Sequence, residues 1–170
     1  YLKFGYVRNE VQYKMVVALL EEDLPAYDEA NLSLYEQLYL YRLLTNYYSF
    51  LEELDQALVY ARKLVFLFGE NEALRNTQLD DYLQAINQVM VIEYKSDQYE
   101  AFMKSRAHLR VLSEQHRHHQ KLNIRLRLEK YVYVHEFNRI FMLGKFKFGV
   151  QLLEKIGSQL EAFIARSDEH

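Results

Sequence analysis

The stretch YLYRLLTNYYSFLEELDQALVYARKLVFLFGEN, residues 39–71, decides the fold. Two apolar helical stripes flank a short acidic break, Glu52-Glu53. In the second half Leu54, Leu58, Ala61, Leu64 and Val65 recur at steps of three and four. That spacing puts side chains on one face of a helix. Ala57 supplies a small side chain where two backbones can approach. The expectation is a pair of antiparallel helices, a helical hairpin.

Working outward, the same pattern recurs. Residues 11–25, VQYKMVVALLEEDLP, read as a leading helix stopped by Pro25. Residues 28–51 form a long aromatic helix, capped by Asp28 or Asn31. One stripe carries Leu34, Leu38, Tyr41, Leu44 and Tyr48; its neighbour carries Tyr35, Tyr39, Arg42, Asn46 and Phe50. Residues 54–68 return, and Gly69 suits a left-handed C-terminal cap. Asn71 or Thr77 starts the next helix, which runs through Leu79, Leu83, Ile86, Val89 or Met90, and Tyr94. Ser96-Asp97 breaks it. A returning arm holds Ala101, Phe102, Ala107, Leu109 and Leu112, and the polar run QHRHHQ, residues 115–120, marks a turn. Residues 121–143 are again a long helix, Gly144-Lys145-Phe146 a break, and residues 147–165 close the series with Val150, Leu153, Ile156, Leu160 and Phe163. Seven helices result, one leading helix and three hairpins, in a single domain over residues 1–170. The small residues after the breaks, Ala57, Ala101 and Gly149, lie 44 and 48 residues apart.

The opening stretch resembles a tetratricopeptide repeat, a helical hairpin with a period of about 34 residues. Leu44, Asn46, Tyr48, Leu54, Ala57, Ala61 and Leu64 fall on that family's pattern positions. Ala61 stands where a large aromatic is usual, Leu64 where a small residue is usual, and Gly69 near the usual helix-ending proline. The turn before Gly149 is similar as well. The resemblance implies an all-α array of antiparallel hairpins winding into a right-handed superhelix. It implies a non-enzymatic scaffold whose concave groove, lined by the first helix of each hairpin, binds a protein or peptide. On that reading Tyr39, Arg42, Asn46 and Phe50 face the groove from the first hairpin. Gln84, Asn87 and Val91 follow from the second, and Tyr131, His135 and Asn138 from the third. Some family members hold a peptide's terminal carboxylate with basic and Asn side chains; Arg42, Asn46 and Asn87 match that pattern. Tyr131 and His135 stand where its last basic pair belongs. The plainer alternatives are a core position for Tyr39, a helix-bridging bond for Asn46, and a compact irregular bundle for the whole.

Composition agrees with helices. The chain has one Pro and five Gly among 170 residues, too few for a turn-rich β fold. Fifteen Tyr and ten Phe supply core material. No run of apolar residues is long enough to span a membrane. Cys is absent, which fits a reducing compartment, so the cytoplasm is the expected location. The chain begins at Tyr1 without an initiator Met, and a preceding segment is expected. Residues 1–100 carry 8 Lys/Arg and 17 Asp/Glu; residues 101–170 carry 13 and 7. Such poles steer partners or simply colour two solvated faces.

Chemistry-bearing motifs are sparse. His116, His118 and His119 could offer metal ligands if helical, but a solvated hinge explains them better, and no metal or other cofactor is expected. His135-Glu136 lacks the second His of a zinc-protease motif, and no nucleophile elbow, phosphate loop or dinucleotide fingerprint is present. Lys104 to Lys130 is a basic run of eight Lys/Arg against Glu114 and Glu129. Net acidity and the lack of a helix-turn-helix signature argue against nucleic acid as the partner. The second reading is a regulatory or sensor module of a nucleic-acid-associated protein. The leading helix, apolar nearly all round, is expected to be covered by a preceding segment or by a second copy in a homodimer. The C-terminal helix has polar residues, Glu154, Lys155 and Ser158 among them, to cap the other end.

Overall fold

Three turns of one build organise the chain. The computed structural model describes residues 29–167 and positions 10, 14 and 18. Apart from positions 14 and 18, the leading helix expected over residues 11–25 lies outside the described residues. Every described element is helical. A single 3-10 turn at Glu29–Asn31 precedes α1 (Leu34–Phe50), α2 (Leu54–Glu70), the short α3 (Glu72–Thr77), α4 (Leu79–Lys95), α5 (Tyr99–Gln115), α6 (Leu122–Met142) and α7 (Phe146–Ser167). The pairs α1–α2, α4–α5 and α6–α7 are hairpins, each joined by three residues, 51–53, 96–98 and 143–145.

The middle residue of each turn is left-handed: Glu52 at φ 61°, Asp97 at 53° and Gly144 at 64°. The next amide, of Glu53, Gln98 and Lys145, donates five residues back to Tyr48, Glu93 and Ile140 at 2.9, 2.9 and 3.0 Å. This is the Schellman closure, which satisfies a carbonyl the helix end would otherwise leave bare. Only the third turn uses Gly. A side chain in the left-handed region costs about 1–2 kcal/mol, so the contacts the turns permit must outweigh that at Glu52 and Asp97.

Those contacts form a continuous core. Each long helix packs on the next, α1 on α2, α2 on α4, α4 on α5, α5 on α6 and α6 on α7; α4 also lies against α6. Phe68, Leu83, Met90, Phe102, Leu109 and Leu128 are almost wholly enclosed. A second cluster, Ala57, Leu58, Ala61, Val89 and Ile92, seals α2 against α4. The stripe Leu38, Tyr41 and Leu44 is buried as expected, and both Val89 and Met90 are buried. At the entry, Lys63 bonds Glu29 at 2.7 Å and lies over the rings of Tyr41 and Tyr60.

Several details depart from the sequence reading. Ser33, not Asp28 or Asn31, caps α1: its amide and hydroxyl both donate to Glu36 while the Glu36 amide returns to the Ser33 hydroxyl, a full capping box. Gly69 lies inside α2, and Asn71 follows the helix end. Of the two expected starts of the next helix, Asn71 is used and Thr77 is not. Asn71 precedes α3, and Leu74 anchors that short helix in the core. Thr77 closes α3 by donating back to Ala73 and Leu74, so it does not cap α4. In α5, Ala107 is exposed. In α7, Val150 and Leu153 are exposed, while Gly149 is buried and Leu152 and Ile156 are half-buried. Leu160 and Phe163 lie outside the described side chains.

Ala57 and Ala61 are fully buried where α2 meets α4. Ala57→Leu should therefore overpack the crossing and lower stability by about 1–3 kcal/mol. Chemical denaturation of parent and variant measures this; equal midpoints and slopes would show that the crossing has slack.

Candidate functional site

Four polar links join the first helices of the hairpins. Arg42 of α1 pairs with Asp81 of α4 at 3.2 Å. Gln88 of α4 donates to Asn46 of α1 at 2.9 Å. Arg127 of α6 pairs with Asp80 of α4 at 2.9 Å. His135 of α6 meets Asn87 of α4 at 3.0 Å. Within each pair of helices the partners rise together in sequence, so α1, α4 and α6 run parallel. The antiparallel helices α2, α5 and α7 are their returning arms.

The sequence-named residues divide along this seam. Tyr39 is 73% exposed, so it is not a core residue. Arg42 and Asn46 are committed to α4 through Asp81 and Gln88. Gln84 is exposed, and Phe50, Val91 and Asn138 are half-buried. Tyr131 and His135 are buried, at 8% and 0% exposure, and do not line an open groove. The reason is periodic: Ile124, Leu128, Tyr131 and His135 follow one another at steps of four, three and four on the buried side of α6. His135 is nevertheless connected to the seam. With the amides oriented as they are, Nε2 donates to Asn87 Oδ1, and Nδ1 accepts from Asn138 Nδ2 at 3.3 Å. Phe102 meets the imidazole edge to face at 5.8 Å. Burial pushes the His135 pKa down to about 4, so the ring is neutral.

Two cavities open at the turn end of the hairpins. The smaller, about 230 Å³, lies between α1 and α4 and is lined by Asn46, Ser49, Asn87, Gln88, Val91 and Lys95 among others. It gathers three residues from the sequence reading, Asn46, Asn87 and Val91, and adds Lys95, which has no ion pair among the described residues. The larger, about 740 Å³, lies on the side of the returning arms and includes Arg62, Glu93, Gln98, Tyr99 and Lys104 in its walls. Sequence reasoning missed it. The signal was Glu93, a carboxylate three and four residues beyond the buried Met90 and Val89.

The basic run is partly neutralised. Arg106 reaches Glu136 from α5, and Arg139 joins the same carboxylate at 2.7 Å. Burial opposes the Glu136 charge, but the Arg139 and Arg106 hydrogen bonds outweigh it and hold the carboxyl below its usual range. His116 and His119 meet edge to face at 5.8 Å in the turn after α5. Among the described residues no three His, Asp or Glu side chains are placed to hold a metal ion, and no helix is long and apolar enough to cross a membrane.

The buried imidazole sets a pH dependence. In the unfolded chain it takes a proton near its ordinary pKa of 6.5, and in the folded chain only near 4. Between these values the unfolded state binds more protons, so stability falls as pH falls, by at most about 3 kcal/mol across the window. His108, held below its ordinary pKa by burial, adds in the same direction. Below about pH 4.5, protonation of Glu136 removes its own stabilisation. Denaturation from pH 7 to pH 4.5 should show the decline, and His135→Gln should flatten it. Parallel curves for parent and variant would remove His135 as the cause.

No family model, curated protein or solved structure matches the chain, so its seam and cavities are read from its own residues alone.

Proposed function

We propose that this chain is a non-enzymatic binding scaffold, a tetratricopeptide-like array whose first-helix side receives a protein or peptide segment bearing a free carboxylate. The observation that supports this most is the convergence of Lys95, Asn46, Asn87, Gln88 and Ser49 on one small cavity. An ammonium and several amide and hydroxyl donors within one pocket suit a carboxylate, which only accepts hydrogen bonds. The neighbouring surface of α1 offers rings at helical spacing. Tyr35 and Tyr39 are exposed one turn apart, and Asn46 follows Tyr39 by two turns on the same face. Seven helical residues rise about 10 Å, the length of about three residues of extended chain. A peptide with its carboxylate at Lys95 thus lays its upstream side chains along Tyr39. Arg42 organises this site indirectly, through Asp81.

A synthetic pool of short peptides with free C-termini, compared with the same pool amidated, tests the reading by calorimetric titration. The free-acid pool should bind, and Lys95→Glu should weaken it by about tenfold or more with an unchanged melting temperature. Equal binding of the amidated pool, or indifference to Lys95→Glu, would end the proposal.

A further inference from the structure

The larger cavity carries a second site, independent of the peptide-end reading. Glu93 stands in the last turn of α4 with its side chain 2% exposed. One carboxylate oxygen takes a single hydrogen bond from Arg62 Nη2 at 3.0 Å. The other is buried and has no partner. Three residues on, at the end of the same helix, the Ser96 hydroxyl is also buried without a partner. Burying a charged oxygen away from water without a donor is unfavourable, so the unpartnered Glu93 oxygen marks a place built for something further. Glu93 forms part of the wall of the 740 Å³ cavity.

The rest of the wall has mixed charge. Arg62 and Lys104 bring cations; Asp97 and Glu100 bring carboxylates. Tyr99, Glu100 and Ala101 are the first turn of the 17-residue helix α5, whose start no side chain caps. That end is the positive pole of the helix. A simple anion would meet three carboxylates here, and a simple cation would meet Arg62 and Lys104. A molecule with both charges satisfies both sets.

We propose that this corner binds a small zwitterion with a primary ammonium and a carboxylate, a free amino acid or dipeptide. The ammonium takes the oxygens of Glu93. Arg62 is half-exposed and rests on Glu93 through one nitrogen, with a longer 3.5 Å bond to Gln98. It turns outward to admit the ammonium, and its guanidinium then meets the ligand's carboxylate beside Lys104 and the start of α5. One cation replaces another beside Glu93, so the buried carboxylate keeps a counter-charge throughout.

The test is an amide-resolved NMR titration of the folded chain with alanyl-alanine. Saturable shifts are expected at Arg62, Glu93 and residues 96–105. N-acetyl-alanyl-alanine, which lacks the ammonium, and alanyl-alaninamide, which lacks the carboxylate, should each bind about tenfold more weakly or worse. Glu93→Gln keeps the shape and removes the charge, and should abolish the shifts. Lys104→Ala, on the exposed rim, should weaken binding with the melting temperature unchanged. If Glu93→Gln does not fold, the blocked dipeptides and Lys104→Ala still decide. Absence of shifts at these amides up to the solubility limit, or equal shifts from the acetylated dipeptide, would overturn the site.

Discussion

A helix that must reverse within three residues has to place one of them in the left-handed region, and this constraint recurs at Glu52, Asp97 and Gly144. It fixes much of the architecture. Four helices around the first two turns have the same length, 17 residues, so each hairpin begins and ends at matching levels. With α1, α4 and α6 parallel, the three hairpin turns lie at one end of the described helices. Both cavities lie at that end, one on each side of α4. The chain accepts left-handed Glu and Asp because the returning helix then buries Ala57, Leu58 and Ala61 in one case and Phe102 and Leu109 in the other.

Helix α4 is the hub. It packs against α2, α5 and α6, and its polar side chains tie it to α1 on one flank and to α6 on the other. The Arg42–Asp81 and Arg127–Asp80 pairs are each about a third exposed, and pairs of that kind add at most about 1 kcal/mol. Their more useful effect is register. A shift of α1 along α4 by one turn would part Arg42 from Asp81 and Asn46 from Gln88 together. The His135–Asn87 link acts differently, because an imidazole with no exposure cannot exchange its partners for water. The apolar core holds the helices together, and the seam selects among the alignments that the core alone would tolerate.

The three hairpins are legible in the sequence because their stripes and breaks are local. Leu79, Leu83, Ile86 and Val89 announce a buried face without knowledge of what covers it. Ser96-Asp97 and Gly144-Lys145 announce breaks through their own backbone preferences. The capping box Ser33-Leu34-Tyr35-Glu36 is equally local, yet Asp28 and Asn31 compete with it as cap residues of the same chemical type. The groove is harder. A polar residue on a first helix can face solvent or a neighbouring helix, and its own helix does not decide which. Asn46 and Asn87 line one cavity, whereas resemblance alone puts Tyr131 and His135 in the groove, against their own periodicity. Glu93 and Lys95 escape the sequence reading because their meaning comes from Arg62 and Asn46, both more than thirty residues away in sequence.

The outer face of the third hairpin has the same origin as the interior. Within the series, the returning arm of each hairpin meets the helix that follows: α2 is covered by α4, and α5 by α6. Helix α7 is the third returning arm, and among the described elements α6 is its neighbour. Its Phe146, Phe148, Val150 and Leu153 are all more than half exposed, beside Phe141 of α6, whose ring lies 5.7 Å from that of Phe146. Polar Glu154, Lys155 and Ser158 are exposed too, but they do not cover the four apolar side chains that precede them. A hairpin that buries its first helix against its own arm still has an outer apolar surface, and stacking is how such units bury it. Val150 and Leu153 stand four and seven residues after the start of α7, as Leu58 and Ala61, which pack with Val89 and Ile92 of α4, do after the start of α2.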